Sequence, residues 1–271
     1  MLLKSITVLT LAGLLGPLCV LSSQQASGGF HWPTGKLVAV SFSFDDARAS
    51  QIDVGVPLFD KYGAKVTFFV NPPNMEQRLD GWKKAAAKGY EIGNHSRSHP
   101  CSVNFPWSRK NDIEDFSLAK MAEEMDSANT ETERMLGVKP ATFAYPCGQK
   151  FVGRGVDTKS YVPLVAQKFL AGRGFRDEAA NSPVHCDLAQ LLGMSSDEMS
   201  FEEMKKAVLT AKEDGAWLVF AGHEIGGTAF QTTDTAALEQ FLKYAKDPAN
   251  GIWLDTVESI AKYVRAKRTS Q

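Results

Sequence analysis

Short apolar runs at 37–44, 65–70, 90–93, 141–144, 169–172, 217–221 and 251–254 alternate along this chain with longer stretches of helical period. The helical stretches are 49–62, 79–88, 115–136, 200–213, 235–246 and 257–267. Gly63, Gly89, Gly137 and Gly215 each fall just past one of them, where a chain leaving a helix through left-handed backbone favours glycine. Strand–helix–strand order repeated this often predicts a parallel sheet with helices outside. Barrel-like closure fits the count of about seven strands. No repeat, low-complexity tract or Pro/Gly/Ser-rich linker interrupts the pattern, so 28–271 is expected to fold as one domain.

The first 27 residues do not belong to that pattern. Lys4 is followed by an apolar run from Ile6 to Leu21 and then by SSQQAS, the order of a secretory signal peptide. Gly13, Gly16 and Pro17 interrupt the run, which is short for a membrane span of about 20 residues. The segment 1–27 is therefore expected to be a cleaved leader, the mature chain to be exported without a membrane span, and the cut to fall within 21–28. Export permits disulfides, and Cys101, Cys147 and Cys186 remain after cleavage. An odd count leaves at least one thiol over. Lys and Arg number 30 against 31 Asp and Glu, a net charge of −1, which gathers no phosphates and argues against nucleic acid.

In a parallel α/β fold, side chains that do chemistry collect at the C-terminal ends of strands. The first run, VAVSFSFDD, ends on Asp45 and Asp46. The third leads into His95-Ser-Arg-Ser-His99, the fourth into Tyr145-Pro-Cys147-Gly, and LVFAG into His223. Two histidines four apart can aim at one borderline-soft divalent cation. With one carboxylate they leave a position open for water, as a catalytic rather than a structural site does. Adjacent residues of an extended chain point to opposite sides. One aspartate can thus ligate while the other acts as a base. His223, emerging at the same rim, is placed to protonate a leaving group. The residues alone point to metal-assisted hydrolysis of an acyl group.

In this order the residues resemble the polysaccharide deacetylases, the NodB-homology domain of carbohydrate esterase family 4, over about 36–265. The resemblance implies a distorted (β/α) barrel and removal of acetyl groups from N-acetylated sugars of a polysaccharide. It implies that Asp45, first of the Ser43-Phe44-Asp45-Asp46 motif, is the base, and that Asp46, His95 and His99 hold Zn2+ (Co2+ or Ni2+ being other divalent choices). His223 would be the acid. The family's third motif commonly carries an arginine that orients the base; here it reads Phe143-Ala144-Tyr145-Pro146-Cys147-Gly148, with alanine in that place. Tyr145 and the Cys147 backbone N–H are expected at the oxyanion and substrate. The fourth motif, an aspartate pair before tryptophan, is replaced by Gly172-Arg173-Gly174-Phe175-Arg176-Asp177. Arg173 or Arg176 is expected to restore a positive charge beside Asp45.

The expected partner is an acetylated polysaccharide or oligosaccharide. An O-acetyl esterase acting on xylan would use the same residues, and a carbohydrate-binding protein would have lost one of them. Phe105 and Trp107, in a polar loop after the histidine motif, either stack on a sugar ring or pack locally. Cys101 and Cys147 both follow strand ends at the same rim and could join. His185 and Cys186 read as loop residues. The identity of the glycan and the oligomeric state are not encoded in any motif.

Overall fold

The computed structural model describes residues 30–227 and 229–268, and the expected leader, 1–27, lies outside them. Within the described residues the chain forms a parallel sheet rolled into a distorted half-barrel. Its strands are β1 (Val38–Asp45), β2 (Thr67–Val70), β3 (Glu91–Asn94), β4 (Thr142–Ala144), β5 (Ala171–Arg173), β6 (Met194–Ser195), β7 (Trp217–Gly222) and β8 (Ile252–Leu254). The order is β5-β4-β3-β2-β1-β7-β6, with β8 also on β1. All seven expected strands are present to within two residues at either end. The eighth, β6, is only two residues long, too short to leave a pattern.

Two-residue periodicity in β1 decides which side faces the barrel. Val38, Val40, Phe42 and Phe44 enter the larger core, under the helices, with Phe59, Trp82, Leu238 and Phe241. Ala39 turns the other way, against Trp217, Val219, Val257 and Ile260. Ser41 and Ser43 follow it inward. Ser41 Oγ accepts from Trp217 Nε1 at 3.1 Å, and Ser43 Oγ donates to the Phe220 carbonyl at 2.8 Å. Small side chains inside and large ones outside are what a tight barrel requires, since its interior must be filled without voids.

The α-helices longer than four residues are α1 (Val56–Lys61), α2 (Leu79–Ala87), α3 (Leu118–Leu136), α4 (Val162–Lys168), α5 (Phe201–Glu213), α6 (Thr235–Lys246) and α7 (Val257–Arg268). The stretch expected to be helical at 49–62 is helical from residue 49 to 61, with a π-type stretch, Gln51–Gly55, leading into α1. Ser200 and Glu203 form a reciprocal capping box at the start of α5. The seven-residue α4 has too little length for an amphipathic period to show in sequence. None of the helices among the described residues is long and apolar enough to cross a membrane.

Register brings the strand ends level. Asp45 pairs with Phe69, Val70 with Asn94, Asn94 with Phe143, Ala144 with Arg173, and Phe44 with Gly222. On the far side, Leu191 bridges to Arg173 while Met194 and Ser195 pair with Phe220 and Ala221. The segment 191–195 thus spans the seam between β5 and β7.

Candidate active site

The chain turns sharply where β1 ends. Asp46 and Ala47 adopt left-handed backbone, as do Ser96, His99 and Cys147 on the neighbouring loops. Such non-glycine conformations cost about 1–3 kcal/mol each and persist only where surroundings hold them. The holding groups are visible. Asp46 N–H donates to the Phe69 carbonyl at 3.1 Å. Asn71 Nδ2 donates to the carbonyls of His95 and Ser96 at 2.7 and 3.0 Å. Asn94 Oδ1 accepts from Ser96 N–H at 2.7 Å.

These turns bring three side chains to one point. Asp46 Oδ1 lies 3.4 Å from His99 Nε2 and 3.6 Å from His95 Nε2, and the three donor atoms are mutually within 4.8 Å. Ligands about 2.1 Å from a tetrahedral Zn2+ stand about 3.4 Å from one another, so the spacing fits such an ion. The hydrogen bonds fit as well. His95 Nδ1 is 2.9 Å from the Ala144 carbonyl; a carbonyl only accepts, so Nδ1 carries the proton and Nε2 offers its lone pair. Arg48 binds Asp46 Oδ2 at 2.9 Å, leaving Oδ1 toward the histidines. Burial and the charge of neighbouring His95 pull His99 down to about 4, its neutral, ligating form at pH 7. Burial alone would raise Asp46, but His99, His95, His223 and Arg48 together hold it well below the usual carboxylate range.

Asp45 is buried beside this triangle, with Oδ2 3.8 Å from His95 Nε2. The Arg173 guanidinium, fully buried, bonds its Oδ1. Arg173 faces Ala144 across the β4–β5 register. The positive charge whose usual place holds alanine is therefore supplied from the next strand, at the same level, and alanine leaves room for it. Arg176 does not share this position; it is exposed at the cleft, over the Phe175 ring. Burial would raise the Asp45 carboxyl, yet Arg173, His95 and His223 hold it below its ordinary value.

His223 lies at the same rim, its ring 5.2 Å from that of Phe175. Its Nδ1 is 2.7 Å from Asp197 Oδ2, and its N–H donates to Asp197 Oδ1 at 3.0 Å. Burial would lower its pKa, but the bond to Asp197 and the charges of Asp45, Asp197 and Asp46 raise it. Gln51 joins the two strand ends: its Nε2 donates to the Asp45 carbonyl at 2.6 Å and the His223 carbonyl at 2.9 Å. Neither Asp197 nor Gln51 is flagged by the sequence, because each is a single polar residue without a motif around it. Cys101 and Cys147 form a disulfide, and Cys186 is the free thiol among the described residues.

Asp45, Asp46, His95, His99, Cys147, Arg176 and His223 line one cleft of about 1000 Å³. Tyr145 does not. Its ring alternates outward with Phe143 into a core cluster, and its hydroxyl donates to the Ala189 carbonyl at 2.6 Å. Its side chain therefore does not face the cleft.

The protein is thus an α/β half-barrel whose C-terminal rim sets a carboxylate–histidine triangle of ligating size beside a buried aspartate. Residues 34–157 match the family model described as polysaccharide deacetylase, and this stretch, with Asp45, Asp46, His95, His99 and Cys147, belongs to that family. Arg173, Asp197 and His223 lie beyond it. The chain is 33% identical over 93 residues to the uncharacterised protein YlxY of Bacillus subtilis (strain 168), a match that covers 34% of this chain and 26% of that protein. The chain thus spans about a quarter of the length of that curated relative. A protein from Mycobacterium smegmatis assigned as a polysaccharide deacetylase superposes with a TM-score of 0.63 at 18% identity, over 89% of this chain and 94% of its own. Puue allantoinase superposes with a TM-score of 0.64 at 17% identity, over 87% and 93%. These likenesses establish the fold.

Proposed function

We propose that the protein is an exported, metal-dependent hydrolase of carbon–nitrogen bonds outside peptides, removing acetyl groups from N-acetylated sugars of a polysaccharide. One observation carries this reading: a buried aspartate, charge-paired with Arg173, stands beside an Asp–His–His triangle of ligating size.

Asp46, His95 and His99 would hold the divalent ion, with zinc the best fit to one carboxylate and two imidazoles. Bound there, the ion supplies Lewis acidity, acidifying water and polarising the acetyl carbonyl. Asp45 takes the proton of the attacking water, and Arg173 keeps it ionised and oriented for that step. The Cys147 N–H, at the cleft wall, donates to the carbonyl oxygen as negative charge develops on it. His223, kept protonated by Asp197, delivers a proton to the departing amine. Gln51 keeps base and acid in register from behind. Export is supported by the signal-like order of residues 1–27 in the sequence and by the Cys101–Cys147 disulfide, which persists in an oxidising compartment.

The test is acetate release from chitin oligomers, peptidoglycan and acetylated xylan by metal-stripped and zinc-reloaded protein. Release from an N-acetylated glycan by the reloaded form only is expected. Undiminished release after chelation would overturn the metal's role, and release from acetylated xylan alone would replace amide by ester chemistry.

A further inference from the structure

The two ring nitrogens of His99 have different neighbours. Nε2 stands 3.4 Å from Asp46 Oδ1, inside the ligating triangle. Nδ1 lies 3.6 Å from Cys101 Sγ, and a ring nitrogen of His99 and the sulfurs of Cys101 and Cys147 are mutually within 4.8 Å. A nitrogen and a sulfur bound to one tetrahedral Zn2+ stand about 3.6 Å apart, so the Nδ1–Sγ spacing is already of ligating size. The two sulfurs are closer than ligands because they are bonded to each other. Two thiolates on one ion stand about 3.8 Å apart, and Cα atoms 6.0 Å apart allow that by side-chain rotation.

Hydrogen bonds hold the two loops together independently of the bridge. Ser102 N–H donates to Gln149 Oε1 at 2.8 Å. The Cys101 carbonyl accepts from Ile113 N–H at 2.9 Å and from Ser108 Oγ at 2.8 Å. The bridge is also approachable from one side. Cys101 is fully buried, whereas Cys147 is partly exposed and lines the cleft together with His99. A dithiol entering the cleft meets Cys147 Sγ; one of its sulfurs attacks there and expels Cys101 as a thiol, and its second sulfur then releases Cys147. The dithiol leaves as a disulfide, and its two protons end on the two cysteines. A thiolate is a strong ligand for a borderline-soft ion, which displaces those protons on binding, and a disulfide sulfur is not.

His99 cannot serve both places at once, since a neutral imidazole offers one lone pair. With the bridge closed, Nδ1 carries the proton toward sulfur and Nε2 is free for the triangle. Ligation through Nδ1 moves that proton to Nε2, toward Asp46, and withdraws His99 from the triangle.

We propose that His99, Cys101 and Cys147 form a second site for a zinc-like divalent ion, present only in the reduced protein and exclusive of the triangle because both need His99. A dithiol thereby moves the ion out of the active site, and reoxidation returns it. This rests on the triangle being a metal site, and cobalt spectra test the two sites separately from acetate release. The probe is Co2+ alone, added after dithiothreitol has been removed under argon and the free thiols counted. Asp46→Ala/His95→Ala, which lacks the triangle, should bind no cobalt when oxidised. Reduced, it should bind one ion with sulfur-to-metal charge-transfer absorption in the near ultraviolet. Adding His99→Ala should weaken that binding about tenfold or more, no less than loss of an outer partner costs. Reduced wild type should hold one ion with the same absorption, lose most of its acetate release, and regain it on reoxidation. Cys101→Ser/Cys147→Ser should lack the absorption in every state and, given one equivalent of zinc, outpace reduced wild type, because it has lost the bridge but cannot capture the ion. No charge transfer in the reduced protein, two ions per reduced wild-type chain, or a bridge that opens only on unfolding overturns the proposal. A serine variant as slow as reduced wild type also overturns it, since the bridge would then act only as a strap. If the spectra behave as expected but wild type releases no acetate, the second site stands and the deacetylase reading falls.

Discussion

Asp45 and Glu91 are both buried in this half-barrel, at opposite ends of the strands, and they respond to burial in opposite ways. Asp45 closes β1 at the C-terminal rim; Glu91 opens β3 at the other end. Burial pushes both toward the neutral form. At Asp45 the charge of Arg173, with His95 and His223, outweighs that push and the carboxyl stays low. Around Glu91 the partners are uncharged: Thr67 Oγ1 at 2.7 Å, the Glu258 N–H at 2.8 Å and the Thr142 hydroxyl. There burial wins and the carboxyl rises. Glu91 ties β2, β3 and β4 to the start of α7, while Asp45 is kept ionised in a cleft. Charge partners, rather than depth, separate a working acid from a structural one.

The largest expected effect tests that separation directly. Asp45→Asn should lower kcat by about 10³-fold, within the range for a lost general base, while zinc binding persists by elemental analysis. Glu91→Gln should change kcat less than about twofold. Comparable losses in both would mean that the two acids act through the same structural path. Arg173→Met comes next. It leaves Asp45 buried without its guanidinium, which costs about 3–5 kcal/mol in denaturant unfolding when a buried pair is broken. The Asp45→Asn/Arg173→Met double variant should regain most of that stability and none of the activity. A double variant as unstable as Arg173→Met would show that packing over the Phe69 ring, not the ion pair, is what Arg173 supplies.

What the sequence makes legible is local. Asp45-Asp46 and His95-x-x-x-His99 are compact in the chain, and β1's alternation of large and small residues announces its two faces. Arg173 is legible only as one of two arginines, because the choice depends on strand register: Arg173 sits opposite Ala144, whereas Arg176 has left the strand. Parity turns the Tyr145 side chain away from the cleft. Phe143 and Tyr145 share the outward face and leave the inward place to Ala144. Asp197 reaches His223 across 26 residues and Gln51 reaches it across 172. Long-range pairings of single polar side chains have no sequence period to reveal them.

Asp197 extends the comparison to a base. His223 resembles Asp45 in that burial disfavours its charge and a partner restores it. A raised His pKa means the protonated acid persists to higher pH and is lost as pH rises through that value. Asp197→Asn removes the charge while keeping an acceptor oxygen, so the alkaline limb of kcat should move to lower pH. An unmoved limb would assign that limb to another group.

The smallest effect is the one that isolates burial. Glu91 ionises at a higher pH in the folded chain than in the unfolded one, so its contribution to stability is complete below the unfolded value and is lost as pH rises through the folded one. In Glu91→Gln the substituted side chain does not titrate, and its amide can donate to the Thr142 hydroxyl while its oxygen keeps the other two donors. At acid pH this substitution should cost about 1 kcal/mol or less. The difference from wild type in urea midpoint should then shrink, or change sign, between pH 5 and 9, since titrations shared by both chains cancel. A difference that stayed constant across that range would mean the Thr67, Thr142 and Glu258 donors stabilise the carboxylate as well as they do the acid, and partner charge would no longer distinguish the two ends of the barrel.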